Sequence, residues 1–229
     1  MKRIISLVMV VVFLISVSVM ANAVTDEQKA ELKELGIMIG DENGDLRLND
    51  TITRAEAIKM ICVAGNISIE NQEELTFSIE PETQSVYKYP DVSDNHWAYQ
   101  YIKSAKTYGI IEGDENGNFN PENNVTNEEV IKMVVALLGY SPMADTRGGY
   151  PAGYTATATQ IGLTTDMQFE VDAPAIRRDV AKIIYRALDT PLMVQTGINF
   201  STQNAEYKIM DGKNGVDLMT LRKNINESI

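Results

Sequence analysis

Two stripes of apolar residues recur at the spacing of an α-helix in the middle of the chain. The first stripe comprises Trp97, Tyr101, Ile102 and Ala105, and the second comprises Val130, Val134, Leu137 and Leu138. Each stripe predicts an amphipathic helix that buries one face. Gly109 follows the first stripe and is expected to end that helix. Residues 113–119, Gly-Asp-Glu-Asn-Gly-Asn-Phe, then favour a tight turn. The pattern therefore predicts a helix-turn-helix unit.

The start of the chain shows a different pattern. Lys2 and Arg3 precede an apolar run over residues 4–19, and Ala-Asn-Ala at 21–23 supplies the small residues that a signal peptidase reads. This layout predicts a cleaved secretory signal peptide over residues 1–23. The run is shorter than the roughly 20 residues of a membrane span, although an uncleaved N-terminal anchor remains the alternative.

Capping residues mark the start of the second helix in each unit. Thr126 with Glu129 three residues later forms a capping box, and Thr53 with Glu56 repeats it. Ile176 stands at the corresponding position of a third stretch. It lacks a capping hydroxyl, so the start of that helix is the least secure of the three.

The helix-turn-helix pattern is an internal repeat. Residues 36–64 align with 109–137 at an offset of 73 without a gap, and residues 168–187 align more weakly with 45–64 at an offset of 123. The identical positions include the glycine-rich turn and the segment Glu-x-Ile-Lys-Met. Such periodicity is the signature of repeat architectures.

The repeat divides the chain into segments. These are the signal peptide 1–23, unit 1 at 24–66, an insert at 67–88, unit 2 at 89–140, unit 3 at 141–190 and a tail at 191–229. Two short helices cannot bury their own apolar faces, whereas three packed units can. We therefore expect one compact domain over about 25–190. The tail either packs on this domain as a strand-rich extension or begins a further domain.

Residues 89–138 resemble an S-layer homology repeat throughout. The residues that carry the resemblance are Asp91-Val92, His96-Trp97-Ala98, Gly109-Ile110, 113–119 and Pro121. The segment 52–60, Ile-Thr-Arg-Ala-Glu-Ala-Ile-Lys-Met, is close to the most specific motif of that family. Departures are also present: unit 1 lacks the Asp-Val…His-Trp-Ala opening, Asn127 replaces the usual arginine, and unit 3 has lost the glycine-rich turn.

The resemblance implies a mainly α fold. Three repeats would form a pseudo-threefold spindle, with a central three-helix bundle built from the first helices and three outer prongs. It also implies a secreted protein at the cell wall or S-layer surface, which binds secondary cell-wall polysaccharide, acidic or pyruvylated, in grooves between neighbouring units. Arginine of the Thr-Arg-Ala-Glu motif is expected to contact the acidic sugar. The candidate ligand-binding residues are Arg54, Arg177, Trp97, Thr53 and Asn127.

The residues themselves leave two interpretations open for these candidates. A cation such as Arg54 or Arg177 in the first turn of a helix opposes the helix dipole. An anionic ligand would explain that placement, and so would an ion pair with a nearby acid such as Glu56 or Asp179. Trp97 could stack on a sugar or pack in the core.

Composition excludes partners more sharply than it identifies them. Asp and Glu number 32 against 20 Lys and Arg, a net charge of −12, which argues against nucleic acid and anionic membranes. Cys62 is the only cysteine, so no internal disulfide can form, and its separation from the single His96 disfavours a catalytic pair. The acidic turns lack the glycine and glutamate spacing of an EF-hand. The sequence predicts no metal, no cofactor and no enzymatic activity.

Three functions remain to be separated. The chain is predicted to be a cell-wall anchor; the alternatives are an S-layer-associated self-assembly protein and an envelope enzyme. Arg54 and Arg177 lining open grooves would favour glycan binding, whereas burial of both in salt bridges would favour assembly. A cleft with two close acids of shifted pKa would favour the enzyme. Because the units differ, we expect the grooves to bind unequally.

Overall fold

The computed structural model describes residues 24–69, 88–199 and 201–228. The helices and strands are α1 (Asp26–Glu34), α2 (Arg54–Ala64), α3 (Tyr99–Thr107), α4 (Asn127–Leu137), α5 (Ser141–Asp145), α6 (Ala152–Gln160), α7 (Arg177–Asp189), β1 (Met193–Asn199), β2 (Asn204–Ile209) and α8 (Leu221–Ser228). The fold is mainly α, as predicted. Within the described ranges no helix is long and apolar enough to cross a membrane. The predicted signal peptide and most of the insert fall outside them.

The second helices of the three units, α2, α4 and α7, pack against one another and form the centre of the domain. The expectation that the first helices build the central bundle is wrong. In the described structure, α3 packs on α2, α6 on α4 and α1 on α7, so each first helix lies against the second helix of another unit. The apolar content of the helices explains why the second helices take the centre. Helix α1 has one buried residue, Leu32, whereas most residues of α2 are buried.

Three backbone hydrogen bonds tie the units into a ring. Ile52 N donates to Ala175 O (3.2 Å), Ala175 N to Val125 O (2.8 Å), and Val125 N to Ile52 O (3.1 Å). All three residues are buried, and each comes just before the second helix of its unit. A buried amide needs a partner, so each unit completes the backbone pairing of the next. The outer prongs and spindle shape stay predictions.

The helix starts follow the predicted caps. Both capping boxes are formed; at Thr53, for example, Oγ1 accepts from Glu56 N (3.2 Å), and Thr53 N donates to Glu56 Oε2 (3.1 Å). Ile176 makes no side-chain cap. The amide that a capping hydroxyl would bind, Asp179 N, donates to the backbone oxygen of Ile176 instead (3.0 Å). The first two amides of α7 donate to carbonyls of unit 1, as the first two amides of α2 donate to carbonyls of unit 2.

The acidic turn of unit 2 is held by its own carboxylate. Asp114 Oδ1 accepts from the backbone N of Asn116 (2.9 Å) and Asn118 (2.8 Å), and Oδ2 accepts from Asn120 Nδ2 (2.9 Å). These bonds, above all the one from Asn118, hold the pKa of Asp114 below its usual value. Gly117 closes the turn at φ +77°, a conformation that favours glycine. The turn is thus locally stabilised as the sequence suggested.

The tail contacts all three units. Met193 N donates to Leu138 O (2.9 Å) in unit 2. Arg222 of α8 pairs with Asp189 of unit 3 (2.6 Å) and with Glu31 of unit 1. In between, β1 and β2 form an antiparallel hairpin whose second strand is exposed throughout. The ends of the tail are therefore fastened to the domain while the hairpin projects from it.

Candidate functional site

Two grooves occupy corresponding positions in the repeat. Groove A, about 440 Å³, lies between units 1 and 2, and its lining includes Arg54, Glu112, Glu129, Lys132 and Tyr150. Groove B, about 210 Å³, is lined by Ile37, Ile39, Glu56, Lys59, Met60, Trp97 and Arg177. The offset of 73 superposes most of one lining on the other: Glu56 on Glu129, Lys59 on Lys132 and Ile39 on Glu112. The grooves are therefore two versions of one site.

Arg54 in groove A is bound to two groups of unit 2. Its Nε donates to Phe119 O (2.7 Å) and its Nη1 to Glu129 Oε1 (2.5 Å), while its guanidinium lies over the Phe119 ring at 4.8 Å. The Arg54 side chain is 11% exposed. The other oxygen of Glu129 accepts from Thr126 N (2.9 Å). One carboxylate thus caps its own helix and binds the arginine of the neighbouring unit.

Arg177 in groove B repeats this geometry. Its Nε donates to Leu46 O (3.0 Å) and its Nη1 to Glu56 Oε1 (3.2 Å), and its side chain is 9% exposed. Leu46 and Glu56 are the residues that match Phe119 and Glu129 in the repeat. The motif arginines are therefore inter-unit latches: each one fixes its unit to the turn and capping glutamate of the next.

The latches support the ion-pair interpretation of the two arginines but leave part of each guanidinium for an anionic ligand. Both side chains line grooves, yet both are largely buried in ion pairs, which is the arrangement expected to favour a structural role. In each guanidinium, Nη2 has no hydrogen-bond partner among the described residues. In each arginine, Nη2 is therefore left as a hydrogen-bond donor for a ligand, while Nε and Nη1 hold two units together.

The remaining sequence candidates lie in different places. The Thr53 hydroxyl accepts the helix-capping hydrogen bond from Glu56 N, so it is already engaged within the protein. Asn127 is 6% exposed and donates through Nδ2 to Ala173 O (3.1 Å), and it lines neither groove A nor groove B. Trp97 is 54% exposed and stacks on the His96 ring at a centroid distance of 5.7 Å. The core alternative for Trp97 is therefore wrong.

The lysines at matching positions of the two grooves, Lys59 and Lys132, have different partners, whereas the two arginines have equivalent ones. Lys132 Nζ binds Glu112 Oε2 (2.5 Å) in groove A. In groove B the matching acid is replaced by Ile39, which is 60% exposed, and Lys59 makes no ion pair or hydrogen bond within the described residues. Groove B thus combines an exposed indole, an unpaired lysine and a corner of Arg177, which suits an anionic ligand with an apolar face.

Sequence reasoning overlooked these lysines although a signal was present. Lysine recurs at the same position in all three units, as Lys59, Lys132 and Lys182, just as the motif glutamate recurs in two of them. Tyr150, which is 47% exposed above Lys132 at 5.5 Å, was also missed. No repeat pattern marks it, because it reaches groove A from the start of unit 3.

Comparison with known families adds an independent observation. A model of the S-layer homology domain matches residues 30–58 and 88–131. The matched ranges contain the Thr53 and Thr126 capping boxes, the latch pair Arg54–Glu129 and Trp97. Unit 3, with Arg177 and without the glycine-rich turn, lies outside the matched ranges.

Individual relatives are wall and surface proteins by name. The chain is 29% identical to the middle cell wall protein of Brevibacillus brevis over 75% of this chain and 15% of that protein. It is 28% identical to the surface layer protein of Brevibacillus choshinensis over 85% of this chain and 17% of that protein. It is 29% identical to a cell surface protein of Thermoanaerobacter kivui over 72% of this chain and 20% of that protein. The chain thus spans a fifth or less of these relatives.

Proposed function

Since the chain is an S-layer homology domain protein, we propose that it is a non-enzymatic module that anchors a protein non-covalently to the bacterial cell envelope. Its partner is an acidic secondary cell-wall polysaccharide, and its location is the outer face of the wall after export. The observation that carries the proposal is groove B, where Trp97, Lys59 and Arg177 meet. The relatives named for cell walls and surface layers support the same location.

Groove B offers three complementary contacts to an acidic sugar. The exposed Trp97 ring presents a face for the C–H side of a sugar ring. Lys59 supplies a cation that no described acid neutralises, and Arg177 Nη2 adds a hydrogen-bond donor. In groove A the lysine is paired with Glu112, so a ligand carboxylate would have to displace a protein carboxylate. We therefore expect groove B to bind more strongly than groove A.

The test is co-sedimentation of the protein with purified cell-wall sacculi, before and after removal of the secondary polysaccharide. Trp97→Ala and Lys59→Ala are each expected to weaken binding to the sacculi about fivefold or more, since an aromatic or charged contact contributes on the order of 1–3 kcal/mol. Neither residue belongs to a latch, so folding should be retained. Tyr108→Ala is the matched control, because Tyr108 is 60% exposed but lines neither groove A nor groove B.

Self-assembly at an S-layer without glycan binding is the second candidate. It is favoured by the engagement of both arginines in latches and by the exposed apolar side chains of Ile39 and Trp97 in groove B. Sedimentation-velocity ultracentrifugation separates the two functions. Concentration-dependent association that Trp97→Ala abolishes, together with no binding to intact sacculi, would replace glycan anchoring by assembly.

A further inference from the structure

The hairpin of the tail gathers its apolar side chains on one face. Alternate residues of a strand share a face, and so do residues that lie opposite each other in an antiparallel pair. The register of β1 and β2 therefore places one set of pairs on the same side: Met193 with Ile209, Gln195 with Tyr207, and Ile198 with Ala205. Of this set, Ile198, Tyr207 and Ile209 are large apolar side chains that are exposed. Adjoining exposed apolar side chains are typical of an interaction surface.

The outer edge of β2 presents backbone groups without partners. Met193, which lies opposite Ile209, donates its amide away from β2 to Leu138 O (2.9 Å). Residues opposite each other in an antiparallel pair both turn their backbone groups inward or both turn them outward, and the orientation alternates along the strand. The N–H and C=O groups of Ile209, Tyr207 and Ala205 therefore point outward. Outside the hairpin, no described residue forms a backbone hydrogen bond with any of the three.

The segment that follows β2 leaves this edge open. Met210 N donates to Leu192 O (2.8 Å), and Met210 O accepts from Met219 N (3.0 Å). Leu192 directly precedes β1, and its own amide donates to Met219 O (2.9 Å), so the returning chain lies on the side of β1. Proteins commonly protect an open edge with proline or a bulge. Residues 204–209 contain no proline, and the register shift of the hairpin lies in β1.

The charges of β2 are arranged so that the strand complements itself. When two copies pair antiparallel with Tyr207 opposite Tyr207, each Glu206 faces Lys208 of the other copy, and each Ala205 faces Ile209. Opposite charges in facing positions stabilise a strand pair, whereas like charges destabilise it. A register shifted by two residues would keep the outward groups facing each other but would set Glu206 against Glu206 or Lys208 against Lys208. The charges therefore select a single register.

Neither of these charges is neutralised within the described structure. Lys208 faces Val194 across the hairpin and makes no ion pair or side-chain hydrogen bond with a described residue. Glu206 faces Gly197, and its carboxylate accepts one hydrogen bond from the neutral Asn199 Nδ2 (3.2 Å). Both residues are exposed. The two charges are therefore available to a second chain.

We propose that two copies of this chain dimerise through the outer edges of β2, with Tyr207 at the twofold axis, and so form a four-stranded antiparallel sheet. A twofold contact requires a self-complementary surface, which β2 supplies in its outward backbone groups and in its charges. The pairing keeps the apolar residues of both hairpins on one face, and a sheet of three or more strands with such a face is more stable than an isolated hairpin. No hairpin residue lines groove A or groove B, so the dimer is independent of the proposed glycan site.

Sedimentation-velocity ultracentrifugation of the full chain over a wide range of concentrations tests the dimer. Because β2 has only six residues, the contact is smaller than a standard interface of roughly 1,600 Å², and we expect a weak, concentration-dependent dimer. Glu206→Lys and Lys208→Glu each replace two pairs of opposite charges by two pairs of like charges. Each variant alone should therefore dimerise about tenfold more weakly. Both positions are exposed, so the fold should be retained.

A mixture of the two single variants tests the register directly. A Glu206→Lys copy and a Lys208→Glu copy again face each other with opposite charges in both pairs, so the mixture should form dimers about as well as the unmodified chain. The double variant Glu206→Lys/Lys208→Glu should also recover self-association. Single variants that dimerise like the unmodified chain, or a mixture that stays monomeric, would overturn the proposal.

Tyr207→Pro distinguishes pairing of the strand edges from contact between the apolar faces. Proline removes an outward N–H that the hairpin does not use, and such positions tolerate proline. Tyr207→Thr is the matched control, because threonine retains the amide and suits a strand. Loss of the dimer in Tyr207→Pro with retention in Tyr207→Thr supports edge pairing, whereas equal loss in both would overturn it. An unmodified chain that stays monomeric, or dimers that Trp97→Ala abolishes while the hairpin variants do not, would also overturn it.

Discussion

The interface between units 1 and 2 and the interface between units 2 and 3 hold corresponding positions in the repeat but are closed differently. At the first, Arg54 binds a backbone carbonyl and the capping Glu129. At the second, Asn127 makes one bond to Ala173 O, and a groove of about 520 Å³ between α4 and α6 stays open beside it. The backbone ring through Ile52, Val125 and Ala175 is the same at both. The comparison indicates that the ring fixes the arrangement, while the motif arginine adds a latch that one interface has exchanged for a cavity.

The largest expected effect comes from removing the latch. Arg54→Ala leaves Glu129 partly buried without its cation, which costs about 3 kcal/mol of unfolding free energy. Asn127→Ala removes a single neutral hydrogen bond and should cost about 1 kcal/mol. Urea unfolding followed by circular dichroism measures both. Equal losses for the two variants would contradict the distinction between a latched and an unlatched interface.

Glu129→Gln should have a smaller effect that isolates the charge of the latch. Glutamine still satisfies the capping box through its side-chain oxygen, so the start of α4 is preserved. The single amide oxygen that keeps the cap cannot also accept from Arg54, so the charge-assisted bond to Nη1 is lost, with an expected loss of about 2 kcal/mol. Glu56→Gln at the Arg177 latch is the matched variant and should lose a similar amount. A loss as large as that of Arg54→Ala would mean that the cap, rather than the latch, dominates.

Asn127→Arg tests the comparison in the opposite direction, by restoring the motif arginine at the interface that lacks it. The new side chain is expected to reach Phe169 O and Asp179, the counterparts of Leu46 and Glu56, and so to build the third latch. The gain in unfolding free energy should be at most about 1 kcal/mol, since desolvation of a buried pair offsets most of its attraction. A higher urea midpoint at an unchanged dependence on urea concentration measures this gain. An unchanged or lower midpoint would show that the third latch does not form.

The sequence predicted the local features of this fold better than its long-range ones. The capping boxes at Thr53 and Thr126 and the turn at 113–119 depend on residues within a few positions of each other, so spacing alone identifies them. The partner of Arg54 lies 75 residues away, and no local rule selects Glu129 over a nearer acid. The position of Trp97 was not predicted either: its spacing matches a core stripe, yet it lies in the turn before α3 and its side chain is 54% exposed.

The smallest expected effect concerns the turn of unit 2, which supports the latch because Arg54 bonds to Phe119 O next to it. Asp114 accepts three hydrogen bonds in the folded state, and these hold its pKa below the usual value. A lowered folded-state pKa stabilises the protein above the unfolded value near 4, and this contribution is lost as the pH falls through the lower folded value. The melting temperature of the unmodified chain should therefore fall more steeply than that of Asp114→Asn below about pH 4. Other carboxylates titrate in both proteins, so their difference isolates Asp114. Identical pH profiles would mean that the turn is held by its glycines and backbone alone, and that the Arg54 latch does not depend on the ionisation of Asp114.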